Sequence, residues 1–116
     1  MATSVRSRAK PKVSIRDLKL YGVGEDSSQL EVSAENAEGI TGYWADEGGG
    51  ESFSADVKVG DGETERRMFT RTAGSTGFGA SCDPIASGDT VTVTAEIDPA
   101  KAAEYDPGVL ELSKTA

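Results

Sequence analysis

The sequence contains no histidine. That absence removes the usual general base at neutral pH, the Ser-His-Asp and Cys-His nucleophile arrangements, and imidazole metal ligation. The single cysteine, Cys82, excludes an internal disulfide framework, so the fold must hold without covalent cross-links. Aromatic residues are few: three Phe, three Tyr and one Trp, within a lean 36% hydrophobic composition. No apolar run approaches the roughly 20 residues needed to cross a bilayer. The stretch VRSRAKPKVSIRD also lacks the apolar segment that follows the basic start of a signal peptide. These absences predict a non-enzymatic domain made in the cytoplasm without a signal peptide, with no cofactor and no membrane partner.

The 116 residues suit one domain, which at this size buries roughly two thirds of its unfolded surface. Fourteen Gly, with plentiful Thr and Val, lean toward β structure with many turns. The formal charge of −8 is unevenly spread. Residues 1–19 hold six Lys/Arg against Asp17 alone, net +5, whereas residues 20–116 hold six against nineteen Asp/Glu, net −13. Four of those basic side chains, Arg6, Arg8, Lys10 and Lys12, fall within MATSVRSRAKPK. The chain divides into a basic extended arm, 1–12, and a domain, 13–116.

Alternation places the strands. In KVSIRDLKLYG, Val13 and Ile15 share one alternation and Leu18 and Leu20 the opposite one, which predicts a bulge or a change of partner between them. SQLEVSAEN puts Leu30, Val32 and Ala34 inward and Glu31, Ser33 and Glu35 outward. GITGYWAD sets Ile40, Gly42 and Trp44 on one face, with Trp44 sealing the core. In ESFSADVKV the residues Phe53, Ala55, Val57 and Val59 alternate against Ser54, Asp56 and Lys58. The following GDG predicts a hairpin. Its return strand, ETERRMFTR, is polar enough to be an edge or exposed ribbon.

TAGSTGFGASCDP is Gly/Ser-rich and predicts a loop with a short irregular strand around Phe78. SGDTVTVTAEID alternates through Val91, Val93, Ala95 and Ile97. DPAKAAEYDPG has the punctuation of a short helix: Asp98 as cap, Pro99 in the first turn, Pro107-Gly108 as the stop. GVLELSK closes the chain with a strand through Leu110 and Leu112. About seven strands and no long helix predict an all-β fold, packed as an antiparallel two-sheet sandwich.

Other constellations are weaker. The acidic loops VGEDSS, ADEGGGE and GDGETE offer oxygen ligands, but none has the calcium-loop spacing, and solvated loop charge is favoured over a metal site. GVGEDS and GSTGFGAS lack the Lys of a phosphate loop. Cys82 lies before Pro84 with no base nearby in sequence and reads as an idle thiol. Arg66 and Arg67 are adjacent on a strand and face opposite ways; an ordinary charged edge strand is favoured, and an Arg docked on an acidic neighbouring subunit is the functional alternative.

The strand order and spacing resemble an immunoglobulin-like or fibronectin-type-III-like module. SQLEVSAENAEGITGYWAD is similar to the B–C hairpin of such domains, with Trp44 at the strand C tryptophan, SGDTVTVTAEID to the turn into strand F, and GVLELSK to strand G. The strand B and F cysteines are replaced by residues such as Val32 and Val93, and the tyrosine corner is missing. Small acidic Ig-like domains with a basic tail and no signal peptide resemble accessory proteins of tailed-virus particles. That resemblance implies a virion structural protein, for capsid decoration or cementing or in the tail, docked on neighbouring subunits or on further copies of itself.

The contact residues so predicted are Arg6, Arg8, Lys10 and Lys12 in the arm and Arg66, Arg67, Met68 and Phe69 on the polar strand. Three readings of the arm stay open: a solvated tail, a tether over an acidic neighbour, and a nucleic-acid contact. The last is disfavoured, because four charges neutralise only about four phosphates and no aromatic residue is interleaved for stacking. A carbohydrate- or ligand-binding module is the alternative, with Tyr43, Phe78 and Tyr105 as its only available aromatic set.

Overall fold

A computed structural model describes residues 10–116. Among the described residues nine strands carry most of the regular structure, with two 3₁₀ turns at Ala37–Gly39 and Pro99–Lys101: β1 Lys12–Tyr21, β2 Ser28–Glu35, β3 Trp44–Ala45, β4 Glu51–Val59, β5 Glu65–Arg71, β6 Gly77–Cys82, β7 Thr90–Thr94, β8 Asp106–Pro107 and β9 Glu111–Thr115. They form one hydrogen-bonded sheet in the order β8-β1-β2-β6-β5-β4-β7-β9, with β3 paired to β4 beside that path. The fold is all-β, as the alternation predicts. It is a mixed sheet curled on itself, because β8 runs parallel to β1 while the other pairings are antiparallel.

Residues 106–110 draw the two ends of the sheet together. The Gly108 amide donates to the Val13 carbonyl at 2.8 Å and the Ile15 amide to the Val109 carbonyl at 2.8 Å. One residue later the Ala95 amide donates to the Leu110 carbonyl at 2.7 Å, which hands the same segment over to β7. A segment shared between β1 and β7 satisfies backbone groups at both ends of the sheet, where open edges would otherwise invite pairing.

The change of phase expected in β1 is present. Its register with β2 shifts between Arg16 and Lys19, and Asp17 takes a positive φ of 57° at that point. Val13 and Ile15 before the bulge and Leu18 after it are therefore all buried. The Asp61-Gly62 hairpin also forms: β4 and β5 pair from Glu51↔Arg71 to Val57↔Glu65, and Gly60 takes a φ of +56° at the turn.

The core lies inside the curl. Phe53 stacks on Phe69 with ring centroids 5.4 Å apart and meets Phe78 at 4.8 Å in a tilted pair. Val13, Ile15, Leu30, Val32, Ile40, Ile85, Val91 and Val93 surround them. Ser28 is buried with both of its roles filled: its hydroxyl donates to the Gly22 carbonyl and accepts from the Ile85 amide, each at 2.9 Å.

Three expectations are corrected. Trp44 does not seal the core: it is 61% exposed. The alternation from Ile40 fails at Gly42, whose φ of +79° takes the chain out of extended geometry. A Cβ there would also meet the Ser54 Oγ at 2.5 Å, so the site demands glycine and the turn it makes. Phe78 sits in the regular strand β6 and is fully buried, where a loop with a short irregular strand is predicted. The Gly/Ser content that suggests a loop lets small residues flank Phe78, and Gly77 leaves room for the Glu31 side chain across the pair. The short helix expected there does form, as a 3₁₀ turn, Pro99–Lys101, capped by the Asp98 carboxylate accepting from the Ala100 amide at 3.0 Å. Finally β5 is not an outer strand, since it lies between β4 and β6. It meets β6 only at Thr70↔Gly79, which leaves Glu65–Phe69 without a ladder partner on that side.

Candidate functional site

The predicted contact residues are sorted by the pleat of β5. Phe69 faces inward and is fully buried in the phenylalanine cluster, so it is a core residue and offers no contact surface. Arg67 shares that side of the strand. Its Nη2 donates to Glu65 Oε2 at 2.7 Å and to Asp83 Oδ1 at 3.3 Å, while its Nε is buried without a partner. Arg66 and Met68 point outward. Arg66 Nε lies 3.4 Å from Asp56 Oδ1, its cross-strand register partner. Met68 is 63% exposed.

Of the arm, Arg6 and Arg8 lie outside the described residues. Lys10 and Lys12 are exposed, and Lys12 opens β1 opposite Asp106. The Lys12 carbonyl accepts from the Asn36 amide side chain at 2.8 Å, which pins the point where the arm meets the body.

The residue that sequence reasoning placed wrongly is the one that makes a surface. Trp44 on β3 is in register with Ser52 of β4, and Ser52 with Thr70 of β5, so the three form one row across the outer face. Met68 lies on the next row, opposite Ser54. A groove of about 300 Å³ runs between the indole and the thioether, with Ser52 and Thr70 as its floor and Asp46, Gly50 and Glu51 at its end. Ser52 is buried beneath these side chains although it carries a hydroxyl. The available signal was Thr41-Gly42: a glycine inside an apparent alternation warns that the phase beyond it cannot be carried over.

Behind the groove, on the inner face, a polar chain closes the end of the core. Arg71 donates from Nε to Glu51 Oε2 at 2.6 Å, and its guanidinium lies 4.8 Å from the Phe78 ring centroid. The Tyr43 hydroxyl donates to Glu51 Oε1 at 2.8 Å, and Lys101 Nζ lies 5.3 Å from the Tyr43 ring centroid. Burial pushes the Glu51 carboxyl up, but hydrogen bonds from Arg71 and Tyr43 and the Arg71 charge outweigh it and hold the group below its ordinary value. Burial, the hydrogen bond to Glu51 and the negative charges of Glu51 and Glu38 together push Tyr43 up to about 12. Both carboxylate oxygens of Glu51 are thus committed to protein partners.

The aromatic set of the ligand-binding alternative does not gather on the surface, because Phe78 is fully buried. Tyr105 instead donates to Glu38 Oε1 at 3.2 Å. Among the described residues no group of three or more Cys, Asp or Glu side chains is placed to hold a metal ion. Burial raises the Cys82 thiol, with the Arg67 charge opposing and Asp83 adding to the rise. Comparison with protein-family models, with curated proteins and with solved structures gives no significant match to this chain.

Proposed function

We propose that this chain is a non-enzymatic binding protein that docks on neighbouring protein subunits of an assembly, and that the assembly is a virus particle it decorates, cements or joins at the tail. The observation that carries the docking reading is the outer face of β3, β4 and β5. Trp44, Met68 and Arg66 stand outward on ordered strands of an acidic body. Exposed apolar side chains facing one another across a cleft favour contact with another surface over contact with water. Arg and aromatic side chains are also the types enriched at such contacts.

The immunoglobulin-like reading of the fold is part of the proposal. Taking β1, β2, β4, β5, β6, β7 and β9 as strands A to G, the observed order becomes A-B-E-D-C-F-G. An ABED sheet followed by a CFG sheet, as in a constant-type immunoglobulin domain, would give this order if the β4–β5 pairing joined the two at D and C, which supports the reading. Val32 and Val93, both fully buried, then stand near the places of the strand B and strand F cysteines.

Virion membership is tested by mass spectrometry of particles purified from the organism that encodes the chain. A fixed ratio of this chain to the shell or tail protein supports the proposal, and absence from particles washed only at low salt overturns it. Charge complementarity further predicts that washing at high salt releases the chain, since a contact guided by exposed basic residues is screened within about 8 Å at physiological ionic strength and within about 3 Å at 1 M.

A further inference from the structure

Folding buries all three phenylalanines and leaves the only tryptophan outside. Single exposed apolar residues are ordinary on protein surfaces. Trp44 and Met68 are different, because each is more than three-fifths exposed and the two wall one groove on a sheet face that is otherwise Ser, Thr and charged residues. The rim is anionic. Asp46 uses Oδ1 to accept from the Gly50 amide at 2.8 Å, and among the described residues neither Asp46 nor the neighbouring Glu47 has a basic side chain within salt-bridge distance.

We propose that the Trp44–Met68 groove receives the basic arm of a second copy of this chain, by the part of it that precedes Pro11. The inference rests on the docking reading above and names its surface and occupant. Arg6, Arg8 and Lys10 recur at every second position, and Lys12, next in the series, is held in β1 of its own body. In an extended segment such residues all project to one side, about 6.6 Å apart. A row of cations of this kind meets each feature of the groove. A guanidinium or ammonium packs on the indole face, the methionine thioether adapts to the stems, and Asp46 and Glu47 supply the opposing charge. The residues between the cations, Ser7 and Ala9, are small, so the segment's backbone can lie close over Ser52 and Thr70.

A second copy is favoured as occupant because one chain carries both halves of the match, +5 in residues 1–19 and −13 in the remainder. The nine residues ahead of Lys10 span at most about 30 Å when extended, enough to leave the parent body and cross onto a neighbour. A contact between an arm on one copy and a groove on another either closes as a dimer by reciprocal exchange or propagates head-to-tail into a ring or an open chain of subunits.

Trp44 is the sole tryptophan and the arm contains no aromatic residue, so indole emission reports the groove alone. The test follows the full chain by sedimentation velocity and by Trp44 emission over rising protein concentration at low salt. Association and a blue shift of the emission are expected to share one midpoint and to be reversed together by salt. Excess synthetic peptide of residues 1–12 should disperse the assemblies while keeping the emission shifted. Arg6→Glu with Arg8→Glu should weaken association roughly tenfold or more. Trp44→Ser with Met68→Ser changes only outward side chains and should stay monomeric.

Association with unmoved Trp44 emission, or association that survives Trp44→Ser with Met68→Ser, overturns the groove as the site. A chain that stays monomeric at every concentration overturns the second copy as occupant, whether or not the peptide moves the emission. Either result leaves docking on a different particle protein standing, and absence from particles overturns virion membership without touching the arm–groove contact.

Discussion

Arg71 and Glu51 are cross-strand register partners on β5 and β4, and they are also joined side chain to side chain, with Nε donating to Oε2 at 2.6 Å. The pair closes the mouth of the core beside Phe78 and takes the Tyr43 hydroxyl into the same network.

The network sets a pH dependence whose sign differs at the two ends. The Glu51 carboxyl is lowered in the fold, so its contribution is present above the ordinary glutamate value and is lost as pH falls through the lower folded value. Tyr43 is raised to about 12, so its contribution is present below its ordinary value of 10.0 and is lost as pH rises from there to about 12. Glu51→Gln should cost about 1–3 kcal/mol at neutral pH, the range for stranding buried partners. Thermal melts across pH should show the gap between variant and parent narrowing in acid. A constant gap would mean that Glu51 acts by packing and not by charge.

Trp44→Ala is expected to change stability by no more than about 0.5 kcal/mol, as for other exposed sites. Phe53→Ala should cost about 3–5 kcal/mol, because its ring is shared by both other phenylalanines. Denaturant titrations of the two variants side by side decide the matter. A large loss at Trp44 would place the indole in the core.

Asp17 holds a left-handed backbone at the β1 bulge, with φ at 57°. Asp17→Gly should keep or raise stability, whereas Asp17→Val should lower it by about 1–2 kcal/mol. The check is the difference in unfolding midpoint between the two. Equal midpoints would show that the bulge relaxes to an ordinary strand at no cost.

Cys82 should react slowly with thiol reagents at pH 8, because burial raises its thiol and reactivity follows the thiolate. Its rate with a disulfide reagent should fall below that of a free cysteine and recover in denaturant. A rate at or above the free value would expose the thiol as activated.

Local chemistry by itself determined much of this molecule. Alternation assigned the inward residues of β2, β4 and β7, the phase slip in KVSIRDLKLYG located the bulge, and Asp61-Gly62 located a hairpin, because side-chain direction along an extended chain follows from covalent geometry. The same rule placed Arg66 and Arg67 on opposite sides of β5. Where an alternation crosses a glycine the rule loses its footing, and so Trp44 was assigned to the wrong side. Polarity likewise misjudged Phe69, since a strand with four charges among its seven residues can still bury one ring.

Tertiary structure alone decided which strands become neighbours. Nothing local to residues 106–110 says that they will pair first with β1 and then with β7, or that Trp44 and Met68, distant in sequence, will wall one groove across β4. Those outcomes depend on how the whole sheet curls to enclose three phenylalanine rings, and long-range closure of that kind is chosen by the packing of the complete core and not by any one segment.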